Sequence, residues 1–184
     1  RGLGDVYKRQ VLVLMESPGP RTVAAGPDGF CSEDNDDPTA ATLAAVRTDA
    51  GLDRSDYVRW NIVPWPVTGP DGRWGAPRES DLVEATPYLA AVVGALPRLQ
   101  IVVCMGAKAL SGYMRYVTVT PGAPVLPVLG VPHPSQRNTR ARAEALARMH
   151  VALARAAQLA QATTRAASPA SSSRAAAART ASAT

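Results

Sequence analysis

The chain has little cysteine. Cys31 and Cys104 are the only two in 184 residues, too few for a disulfide framework. They are also too few for an iron–sulfur cluster, which usually takes four thiolates. They read as two reduced thiols of a cytosolic protein. No apolar run approaches the ~20 residues needed to cross a bilayer, which excludes a membrane-spanning protein. The Gly-x-Ser-x-Gly elbow of α/β hydrolases is missing, as are the phosphate-loop and dinucleotide fingerprints. Esterase, kinase and Rossmann oxidoreductase readings therefore fall away. Phenylalanine occurs once, as Phe30, and no internal repeat is present.

Charge is scarce where a nucleic-acid footprint would be sought. The formal net charge is +5, yet it belongs to the ends. Arg1, Lys8 and Arg9 against Asp5 account for +2, and Arg165, Arg174 and Arg179 for +3. Residues 11–163 are formally neutral, so any DNA-binding surface must come from local clustering. Residues 1–10 are set aside from fold reasoning. Asp5-Val6-Tyr7-Lys8-Arg9-Gln10 resembles a translated transposon-end sequence from DNA library preparation. Residues 164–184 hold Ala, Ser, Thr and Arg with one Pro and no large apolar side chain. Such a segment buries too little surface to offset the entropy of ordering, and a disordered tail is expected.

Between the ends, strands and helices alternate. Apolar strands are expected at 11–17, 57–63, 99–105 and 125–131, with Pro127 awkward in the last. Asp37-Pro38 makes a good helix start, Asp at the cap and Pro at the first helical position, with Gly51 as the stop. Further helices are expected at 79–96, where Pro87 is positioned to kink or split the run, and at 107–116. A long last helix is expected at 139–162, with His150 as a structural residue on its apolar face. This order predicts a three-layer α/β/α domain over 11–163 with a four-stranded parallel sheet.

Two short polar motifs each close an apolar run. Met15-Glu16-Ser17-Pro18-Gly19 follows Val11-Leu12-Val13-Leu14, and His133-Pro134-Ser135 follows the run ending at Val131. Open α/β sheets bind ligands outside the carboxyl ends of their strands, so a carboxylate and an imidazole are expected to face one substrate there. Asn61 in Trp60-Asn61-Ile62-Val63 adds a third polar group at a strand end.

In order and spacing this set resembles the uracil-DNA glycosylase superfamily across roughly residues 11 to 160. Glu16-Ser17-Pro18-Gly19 is similar to the Glu-Ala-Pro-Gly form of the iron–sulfur branch, Asn61 to the base-reading Asn, and His133-Pro134-Ser135 to the closing motif. Met15 and Ser17 replace the usual Gly and Ala, and the cluster cysteines are absent. The resemblance implies a cluster-free relative with no metal or other cofactor. It implies a DNA repair glycosylase that flips uracil or another deaminated base from DNA and hydrolyses its N-glycosidic bond. A cytoplasmic monomer is expected.

The chemistry suits these residue types. Uracil leaves as an anion while the sugar becomes cation-like. A His133 hydrogen bond to uracil O2 would stabilise the anion, and Glu16 would stabilise the cation and orient water. The Asn61 amide suits the O4 and N3–H edge. Phe30 would stack on the ring, while Ser17, Pro18 and Gly19 shape a close backbone turn. Ser32, Asn35, Ser135 and Arg137 are the candidate DNA contacts. Gln136-Arg137-Asn138 offers a polar wedge where relatives carry an apolar one. Glu33, Asp34, Asp36 and Asp37 form an acidic run unsuited to phosphate. The alternative class is a catalytically silent nucleic-acid or nucleotide-binding module of the same fold.

Overall fold

A computed structural model describes residues 8–26, 32–135 and 141–166. Four strands, β1 (Val11–Met15), β2 (Tyr57–Asn61), β3 (Ile101–Met105) and β4 (Val128–Val131), form one parallel sheet in the order β2-β1-β3-β4. β1 and β3 lie inside and are buried at every position, as strands covered on both faces must be. Register pairs Met15 with Asn61, Leu14 with Cys104 and Met105 with Val131, so all four carboxyl ends reach one edge.

Among the described residues, α1 (Pro20–Ala24), α2 (Pro38–Asp49), α3 (Glu79–Gly94) and α4 (Ala107–Val119) lie between the strands, and α5 (Arg142–Ala166) follows the last. One face of the sheet packs Val11, Val13, Val103 and Met105 against Leu43 of α2 and Met149 and Leu153 of α5. The other face packs Leu12, Leu14, Val102 and Cys104 against Leu82 and Leu89 of α3 and Tyr113 of α4. That is the expected three-layer α/β/α domain. No described helix is long and apolar enough to cross a membrane.

The boundaries differ from expectation in instructive ways. β4 begins one residue after Pro127, whose carbonyl still accepts from Val102 N–H at 3.0 Å. Proline cannot donate to a ladder, and this outer strand asks only for its carbonyl. α3 runs through Pro87 unbroken. α1 was not expected; Pro20 starts it one residue after the first motif. α5 starts at Arg142 and extends to Ala166, three residues into the stretch read as tail. Its His150 is half-buried and lies 3.3 Å from Asp49 of α2, a contact between helices. Near the start, Gln10 is buried, its N–H donating to Asp56 O and its carbonyl accepting from Gln100 N–H.

Candidate active site

The first motif leaves the sheet at the end of β1. Backbone pairing continues past the strand, since Val63 N–H donates to Glu16 O at 3.0 Å. The Glu16 side chain reaches sideways to the start of α4, where Oε1 accepts from Lys108 N–H at 3.3 Å. A helix start presents unsatisfied N–H groups and positive partial charge, a suitable resting place for a carboxylate.

Gly106, between β3 and α4, makes that placement possible. A β-carbon there would collide with Glu16 Oε1 and approach its carboxyl carbon to 2.8 Å. With a φ of +107° the position also favours glycine. Its N–H donates to Val131 O at 2.9 Å, tying the end of β3 to the end of β4. His133 stands two residues further on. One glycine thus fixes two neighbouring strand ends and leaves room for the acid from a third.

Glu16 and His133 line one cleft of about 680 Å³. Ser17, Pro18 and Gly19 line it too, as do Arg21, Asp37, Pro38, Thr39, Trp74 and Ser135. Burial is the main reason that the His133 imidazole titrates below the ordinary histidine value of 6.5. The Arg59 cation acts in the same direction, while Glu16 and Asp37 pull the other way. The imidazole is therefore neutral at neutral pH.

Other expected site residues stand elsewhere. Asn61 is buried, 2% exposed, and is not among the residues that line the cleft. The β2 pleat puts it on the same face as Tyr57, paired with Met15, rather than pointing out past the strand end. Ser32 and Asn35 do not line the cleft either. The Ser32 hydroxyl accepts from Asp34 N–H, its carbonyl accepts from Arg59, and Asn35 O accepts from Asp37 N–H at 2.7 Å. These groups hold their own loop together. Phe30 and Arg137 lie outside the described residues.

The acidic run is largely consumed by structure. Glu33, its side chain almost wholly buried, pairs with Arg47 and Arg54 at 3.0 Å each and accepts from Tyr57 Oη at 2.5 Å. Asp34 pairs with Arg54, and Arg21 donates to Asp36 O at 3.1 Å. Asp37 caps α2, accepting from Thr39 N–H at 2.6 Å. Among the described residues no group of three or more His, Cys, Asp or Glu is arranged to hold a metal ion.

Sequence reasoning passed over Trp74. It lies in the long loop after β2 and reaches the cleft on a small hairpin bridged between Thr68 and Trp74. The signal was present as Gly69-Pro70-Asp71-Gly72, a turn sequence between two short arms.

A family model described as the uracil DNA glycosylase superfamily matches residues 4–157. No curated protein matches the chain. Among solved structures, the crystal structure of wild-type SMUG2 from Pedobacter heparinus is similar in fold, with a TM-score of 0.56. Its identity to this chain is 10%, and the match covers 79% of this chain and 73% of that one.

Proposed function

We propose that this chain, which belongs to the uracil DNA glycosylase superfamily, hydrolyses the N-glycosidic bond of uracil or a related deaminated base in DNA. Membership supports a glycosylase-like activity on DNA in general. The finer reading rests on one observation: a carboxylate and an imidazole that follow the first and the last strand line one cleft at the carboxyl edge of the sheet.

The target base must leave the stack to enter such a cleft. As the bond to the sugar lengthens, negative charge grows on the base and positive charge on the sugar. A neutral His133 donates an N–H hydrogen bond to the departing base, and gains strength as charge develops there. Glu16, held by the start of α4, offers its carboxylate to the sugar cation and to the water that attacks it. Ser17, Pro18 and Gly19 bring backbone close to the ligand.

The test is excision from oligonucleotides carrying uracil, hypoxanthine or xanthine, with Glu16→Ala and His133→Ala beside wild type. Wild type should release free base and leave an abasic site, with each variant slower by about 10²-fold or more. Binding of DNA without abasic product by the wild-type protein, unchanged in Glu16→Ala, would point instead to a silent binding module.

A further inference from the structure

We propose that Trp74 is a stacking platform for the nucleobase next to the extruded one, which makes single-stranded DNA the preferred substrate. The inference rests on the reading that the cleft receives DNA.

Of the three tryptophans, Trp74 alone lines the cleft. Trp65 packs edge-on against Tyr88 of α3, with ring centroids 5.7 Å apart, and Trp60 lies within β2. Trp74 is 37% exposed, so part of its indole is available for contact. Its position is not that of a loose loop. Gly69 N–H donates to Arg73 O at 2.8 Å, and Gly75 N–H donates to Val67 O at 3.0 Å. Gly72, at a φ of +73°, closes the turn, and Asp71 accepts from Arg73 N–H. Val67, at the hairpin base, is buried in the core. The ring is thus held in advance, and little ordering entropy is lost when a base stacks on it.

Depth in the cleft selects the partner. Glu16 and His133 are half-buried at strand ends, whereas Trp74, Gly75 and Ala76 are exposed at the rim. A base drawn to His133 would leave its neighbour toward the more exposed part of the cleft lining, where Trp74 stands. That neighbour can lend a face only if it is not stacked inside a duplex. An aromatic ring accepts any base this way, because every base has a π-face. Arg21, on α1 and also lining the cleft, sets a cation near the backbone of the same strand.

The experiment uses the full chain with single-stranded and duplex oligonucleotides bearing one uracil. Trp74→Ala should raise KM on the single strand about tenfold and leave kcat within about twofold, and Trp74→Phe should retain most of the wild-type KM. Replacing the flanking bases one at a time by an abasic residue should, at one flank, weaken wild type as much as Trp74→Ala does and weaken the variant no further. Equal KM for wild type and Trp74→Ala, with Glu16→Ala still slowed as expected, would overturn the inference and leave the glycosylase reading intact. Binding to a uracil-free oligothymidine, followed by fluorescence anisotropy, separates the two in the other direction. Trp74-dependent binding without any excision would uphold the platform and sink the enzyme.

Discussion

A methyl group added at Gly106 would occupy the space that the Glu16 carboxylate fills, in a backbone conformation that L residues rarely adopt. Gly106→Ala should therefore push the acid off the start of α4. We expect kcat to fall about 10²-fold, the scale of a misplacement near 1 Å. KM should change less, since the cleft walls stay. Near-UV circular dichroism would establish that the fold survives; an unchanged kcat would show that the position of Glu16 does not matter. His133 carries a second prediction. Its folded pKa is lowered, chiefly by burial, so the unfolded chain takes up a proton near 6.5 while the folded chain resists to a lower pH. Excision should hold as pH falls through 6.5 and drop only below it. Stability contributed by the neutral ring is present above 6.5 and lost as pH falls toward the folded value. The check is kcat and melting temperature against pH, with His133→Gln losing that acid-side dependence of melting.

At the level of elements, one buried carboxylate in the loop at 32–37 ties it to three other places in the chain. Glu33 joins Arg47 of α2, Arg54 of the following turn and Tyr57 of β2. Removing it leaves two guanidinium groups and a phenol without their shared acceptor. Glu33→Ala should cost about 3 kcal/mol in urea unfolding, the range for breaking a buried ion pair. A loss below about 1 kcal/mol would mean that water replaces the carboxylate. None of this was legible in the sequence, because the three partners lie 14 to 24 residues away. The start of α2 was legible, because Asp37 and Pro38 act on their own backbone. Pro87 shows the limit of such local rules. It lies in the third turn of α3, where a kink or a split is expected, and the helix is not split, its Leu82 and Leu89 packing against the sheet.

Across the whole molecule, the sheet order carries the chemistry. Strand-end motifs could be read from the sequence because a parallel sheet sends every strand end to one edge. That Glu16 and His133 line one cleft followed from that rule. Asn61 did not, since its side chain is decided by the pleat of β2, and Trp74 did not, since a turn inside a long loop carries no sheet address. The acid and the imidazole are unequally supported. Glu16 follows β1, bonded on both sides and buried throughout. His133 follows β4, four residues long, bonded on one side and partly exposed. Outer strands open locally at lower free energy than the core. Excision should fade below the melting midpoint and return on cooling; coincident activity and ellipticity curves would contradict this. Moderate heat would then silence the protein while its architecture persists, and recovery would need one strand to dock again rather than a chain to refold.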